Sequence, residues 1–159
     1  MADAIKKTIS VYPCFKGEVI AVKNTKSEMF DNLGKGVAII PSDGTIYSPV
    51  DGKITSVFPT KHIIGFAVEP GIDMLIHMGV DTACLKGKPD KIEVKAGREV
   101  KVGDVLGKVD LEYLAAQEKN PVTPILVTNE EECEVEILQE SGEADLSKPL
   151  YQVSREVEE

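Results

Sequence analysis

A chain of 159 residues with 42% hydrophobic side chains is long enough to bury a core and suits a single domain spanning residues 1–159. Its formal charge of -9 and pI near 4.8 argue against non-specific binding to nucleic acid and favour partners with basic rims. The opening MADAIKKTIS lacks the apolar centre of a signal peptide, and no run approaches the roughly 18 to 20 apolar residues of a membrane helix, so a cytoplasmic protein without direct membrane insertion is expected.

Taken in order, short runs rich in β-branched residues predict strands near residues 8–11, 17–22, 37–40, 45–48, 53–58, 62–68, 74–80, 92–94, 105–109, 124–127, 134–138 and 150–153. Two short helices interrupt them. Ser27 is placed to cap a turn through Leu33, and Asp110 to cap residues 111–118, where Leu111, Leu114 and Ala115 form an apolar stripe. Asp43-Gly44 and Asp51-Gly52 predict tight hairpin turns, and Gly97, Gly103 and Gly107 punctuate the later strands. Many short strands separated by such turns predict an all-β sandwich or barrel. Residues 1–8 and 155–159 are expected to be loose, and the acidic residues Glu130, Glu131 and Glu132 to be solvated surface. Cys14, Cys84 and Cys133 are odd in number and scattered, so they form neither a disulfide framework nor a zinc knuckle.

The most informative span is FPTKHIIGFAVEPGIDMLIHMGVDTACLKG, residues 58–87, which holds both histidines of the chain, His62 and His77. Pro70-Gly71 between apolar runs predicts an antiparallel hairpin, along which side chains alternate faces. A loop with an even number of residues makes paired positions sum to an odd number, which puts His62 and His77 on one face; a three-residue loop separates them. A lone histidine among apolar residues is usually a packed residue with a satisfied hydrogen bond. Two of them where Val or Ile would ordinarily stand point instead to a shared site for a small group such as a phosphoryl. The same alternation puts Leu75 beside His77, with Phe58, Ile64 and Phe66 on the His62 side.

The strings SPVDGKI, PTKH, LIHMGVDT with LKG after it, VKVGDVLGKVD and TPILVTN resemble, in order and spacing, the enzyme IIA domain of the glucose class of the bacterial sugar phosphotransferase system. The likeness runs from about Ile9 to the end. It implies an antiparallel β sandwich of the barrel-sandwich, duplicated hybrid motif type, with one or two short helices. It also implies a phosphocarrier, without a cofactor or metal, that takes a phosphoryl group from the phosphocarrier protein HPr and gives it to the IIB domain of a glucose-class sugar permease.

Residue by residue, the resemblance makes His77 the phosphoryl acceptor, attacking through Nε2 while a backbone carbonyl holds the other ring nitrogen. His62 stabilises the phosphoryl oxygens, Thr60 orients His62, and Asp81 borders the site. Met29, Phe30, Phe58, Gly65, Leu75 and Ala83 match a shallow apolar patch on which HPr docks. The chain departs from the family at Lys88-Pro89-Asp90, after the LKG string, and in a shorter segment between Phe30 and Pro41.

Three other readings stand beside this one. A zinc hydrolase of related fold needs three protein ligands, and His62, His77 and Asp81 supply a poor set because such enzymes carry more histidines. A biotinyl or lipoyl carrier is suggested by the VKVGDVLGKVD hairpin, which lacks a properly flanked lysine at its tip. A regulatory module that signals by phosphorylation state would need the same histidine.

Overall fold

In the computed structural model, residues 4–25, 28–58, 62–69, 71–79 and 90–158 are described. Apolar runs with β-branched side chains become strands wherever at least one edge finds a partner. In chain order these are Ala4–Val11 (β1), Gly17–Ala21 (β2), Lys35–Pro41 (β3), Thr45–Tyr47 (β4), Gly52–Val57 (β5), Ile63–Val68 (β6) and Ile72–His77 (β7). Asp90–Ile92 (β8), Glu99–Val100 (β9), Val105–Val109 (β10), Thr123–Val127 (β11), Glu134–Ile137 (β12) and Tyr151–Glu158 (β13) follow. The short helices are Glu28–Leu33 (α1) and Leu111–Ala116 (α2).

The strands pair antiparallel throughout. A seven-stranded sheet runs β2-β3-β11-β7-β6-β5-β9, and two three-stranded sheets run β1-β13-β12 and β4-β10-β8. The core joins them: Ile39, Ile64, Phe66 and Ile125 of the large sheet pack in one cluster with Val11 and Val153 of one small sheet and Ile46 and Leu106 of the other. This is the antiparallel β sandwich expected. Strand β11 lies between β3 and β7, so both its edges are paired, and all five of its residues are buried.

Three expectations change. Asp43-Gly44 and Asp51-Gly52 do not close hairpins; they carry the chain from β3 into β4 and back to β5, crossing between sheets. Each aspartate still bonds a backbone N–H, Asp43 that of Thr45 at 2.8 Å and Asp51 that of Val102 at 2.8 Å, because a short carboxylate satisfies amides that no ladder reaches. Of the ends expected to be loose, the described residues 4–8 and 155–158 belong to one ladder, which runs from Ala4 opposite Glu158 to Val11 opposite Tyr151. Two terminal runs, each unremarkable in sequence, become one ladder when the fold brings them together. Finally, α2 stops at Ala116, two residues before the expected Glu118, which adopts a positive φ of 56°. Its start is as expected, since the Asp110 carboxylate accepts the Tyr113 N–H at 3.0 Å and Leu114 is buried.

Candidate functional site

The hairpin β6–β7 sits in the middle of the large sheet, between β5 and β11. Three residues, 69–71, connect Val68 to Ile72, and the Gly71 N–H closes the turn on the Val68 carbonyl at 3.0 Å. Gly71 adopts a φ of 106°, a region a glycine enters without steric cost. Paired positions therefore sum to an even number, with Ile64 opposite Ile76 and Ile63 opposite His77. The loop is odd, the case in which strand alternation separates the histidines.

Yet the two rings meet, with centroids 4.9 Å apart and planes at 82°. The reason is local. His62 stands at a bend one residue before β6 begins, so the alternation of the strand does not govern its side chain. The ladder is carried past it by backbone alone, the Met78 N–H donating to the His62 carbonyl at 2.7 Å. Its ring lies against His77 and, at 6.0 Å, against Phe58, whereas Ile64 and Phe66, expected on its side, point into the core.

Both imidazoles are shielded, His62 at 6% exposure and His77 at 3%. His77 Nδ1 lies 2.8 Å from the Gly79 carbonyl. A carbonyl only accepts, so Nδ1 carries the proton and Nε2 holds the lone pair. Burial first, and the neighbouring His77 second, lower His62 to about 4, so at neutral pH it is an uncharged ring able to donate one hydrogen bond. Phe30 from α1 supports the other side of His77, ring centroids 5.0 Å apart in an edge contact.

Such a pair can do one kind of chemistry well. A neutral imidazole of fixed tautomer is a competent nucleophile, and phosphoryl transfer asks mainly for positioning and for donors aimed at the oxygens. A phosphoryl group added at Nε2 would leave the proton on Nδ1, where the ring's added positive charge would strengthen its bond to the Gly79 carbonyl.

The remaining predicted residues divide. Phe58 is 43% exposed beside His62, and Leu75 is half-buried on the outer face that His77 shares through the strand. Gly65 is opposite Leu75 and is buried. A methyl group there would come within 2.7 Å of Ser56 Oγ, because β5 bulges at that point. Phe30, expected on the docking rim, is fully buried and packs beneath His77. Thr60, Asp81 and Ala83 lie outside the described residues, as does the side chain of Met29. The expectations about the loop at Lys88-Pro89 fall there too. Ile63, paired with His77, and Val122, whose carbonyl accepts the Gly79 N–H at 3.0 Å, escaped the sequence reading. No motif marks either; only the register and the fold bring them to the histidine.

Residues 9–133 match the family model described as the phosphoenolpyruvate-dependent sugar phosphotransferase system, EIIA 1. The glucose-specific EIIA component of Staphylococcus epidermidis is 36% identical over 135 residues, covering 84% of this chain and 81% of that protein. The glucosamine-specific EIICBA component of Bacillus subtilis is 39% identical over 131 residues, 81% of this chain but 21% of that longer protein. In structure, the glucose permease IIA of Mycoplasma capricolum superposes with a TM-score of 0.85 at 32% identity, covering 92% of this chain and 96% of that one.

Proposed function

Because the chain belongs to the glucose-class enzyme IIA family of the phosphoenolpyruvate-dependent sugar phosphotransferase system, we propose that its phosphocarrier role is performed by His77, with HPr as donor and the cysteine of a IIB domain as acceptor. The observation that carries the assignment is the bond between His77 Nδ1 and the Gly79 carbonyl at 2.8 Å, which leaves Nε2 as the nucleophile. The Nε2 lone pair attacks phosphorus as the P–N bond to the donor histidine breaks, and the donor ring keeps that electron pair. In the second transfer a thiolate forms a P–S bond while the P–N bond to His77 breaks and its pair returns to Nε2.

His62 serves the onward step. Its neutral ring, 4.9 Å from His77 between centroids, donates a hydrogen bond to a phosphoryl oxygen in a site from which water is largely excluded. Thr60 orients it, and Asp81 borders the site. Phe58 and Leu75 supply the apolar face on which HPr docks, with Met29, Gly65 and Ala83 completing it. The fused relative from Bacillus subtilis carries its A unit in one chain with B and C units, which fits a IIB domain as the next acceptor. Among the described residues no helix is long and apolar enough to cross a membrane. We place the protein in the cytoplasm, where phosphoenolpyruvate charges HPr. Neither the zinc-hydrolase nor the regulatory reading gains from these likenesses.

The test is incubation with phosphoenolpyruvate, enzyme I and HPr, followed by intact mass and acid lability. Wild type is expected to gain a single acid-labile phosphoryl group and His77→Ala none. His62→Gln should accept the group and pass it on poorly. Phosphorylation of His77→Ala would remove that residue as acceptor, and normal onward transfer by His62→Gln would sink the division of labour.

A further inference from the structure

The acceptor ring is held on two sides by groups that themselves depend on one residue. Its Nδ1 proton goes to the Gly79 carbonyl, and the Gly79 N–H goes to the Val122 carbonyl at 3.0 Å. The ring's other support, Phe30, packs with Ala38 and Val122 in a small core separate from the main one. Val122 thus fixes the carbonyl that sets the tautomer through its backbone, and the aromatic edge through its side chain. Val122 is 1% exposed, although it lies outside any strand, just before β11 begins.

What sets Val122 is the residue two before it. The Asn120 side-chain oxygen accepts the Val122 N–H at 3.0 Å across Pro121, an Asx turn in which proline presets the backbone and has no N–H to satisfy. Thr123 Oγ1 closes the same segment by donating to the Pro121 carbonyl at 3.0 Å. Asn120 itself is exposed and belongs to neither core cluster. Its one described bond leads, in three steps, to the reactive ring.

We infer that Asn120 is a positioning residue for phosphoryl transfer, acting through Val122 and Gly79 to hold His77 in the tautomer that presents Nε2. The inference rests on His77 being the acceptor. Without the Asn120 oxygen, the Val122 N–H loses its acceptor, the segment shifts to satisfy it, and the Gly79 carbonyl no longer meets Nδ1 at a fixed place. The proton then distributes between the two ring nitrogens, and molecules carrying it on Nε2 cannot attack.

The experiment pairs two readouts on Asn120→Ala and Asn120→Asp. Long-range proton–nitrogen correlation spectra of the unphosphorylated protein give the His77 tautomer ratio, and initial rates with phospho-HPr give kcat and KM. In Asn120→Ala the Nε2–H tautomer should rise about fivefold, the ratio one ordinary hydrogen bond sustains, and kcat should fall with KM unchanged. Asn120→Asp keeps an acceptor oxygen at the same place and should restore both. An unchanged tautomer ratio and kcat in Asn120→Ala would overturn the inference, as would an Asn120→Asp variant no better than Asn120→Ala. If wild-type His77 were not phosphorylated at all, the proposed function would fail, and the tautomer ratio would still decide the part played by Asn120.

Discussion

Acid should weaken this protein through His62, and the size of the effect follows from its burial. Removal from water, reinforced by His77, takes its pKa from an ordinary 6.5 to about 4. Between those values the unfolded chain binds a proton that the folded chain rejects. Stability therefore rises with pH across this window and is lost as pH falls through it. At about 1.4 kcal/mol per pH unit, the His62 contribution to the loss is about 2 kcal/mol by pH 5 and about 3 kcal/mol by pH 4, relative to pH 7.5. The assay is urea unfolding of wild type and His62→Gln at pH 7.5, 6, 5 and 4. Taking the difference between the two proteins cancels the carboxylates, and the remaining curve should slope only below about pH 6.5. Proton spectra of the His62 ring supply the midpoint directly. A midpoint near 6.5, with no difference in pH dependence between the proteins, would refute the claim that burial governs this ring.

Leu75→Asp puts a charge on the half-buried face beside His77 and should raise KM for phospho-HPr with little change in kcat; an unchanged KM would remove Leu75 from the docking face. Phe30→Ala empties a fully buried site under His77 and should cost about 3 to 5 kcal/mol in urea unfolding, together with a shift in the His77 ring signals. If those signals do not move, the edge contact does not position the ring. Asp110→Ala removes the carboxylate that caps α2. It should cost about 1 kcal/mol while leaving phosphoryl transfer unaltered, which thermal unfolding and the transfer assay together can check.

Much of the site could be read from the chain. Two histidines where a strand would place Val or Ile, the strings around them, and the need of a phosphoryl carrier for a neutral imidazole all converge on His62 and His77. A backbone carbonyl does meet the His77 ring, that of Gly79. The strand positions were largely legible for a similar reason: alternation and β-branched composition are properties of a few consecutive residues. Asp110 could be named as a helix cap because capping involves only neighbours three residues away.

What the sequence could not determine depends on residues far apart in the chain. The loop between β6 and β7 has an odd count, against the register that would unite the histidines, and the bend at His62 reunites them. A bend of that kind is invisible to periodicity. Asp43-Gly44 and Asp51-Gly52 have the composition of hairpin turns, but which strands they join is settled by pairing partners more than fifty residues away, as with β4 and β10. The pairing of the two chain ends likewise needs the whole sandwich to assemble. Phe30 has the character of a surface anchor when taken as one position in a pattern, and becomes a buried support only because α1 folds against Ala38 and Val122. The imidazole pair itself is legible in the chain, since both histidines can be named from their side chains alone. Which ring nitrogen of His77 carries the proton, and what holds it there, follows only from the fold that brings the Gly79 carbonyl to Nδ1, because a tautomer is set by the hydrogen bond made at the other end of the ring.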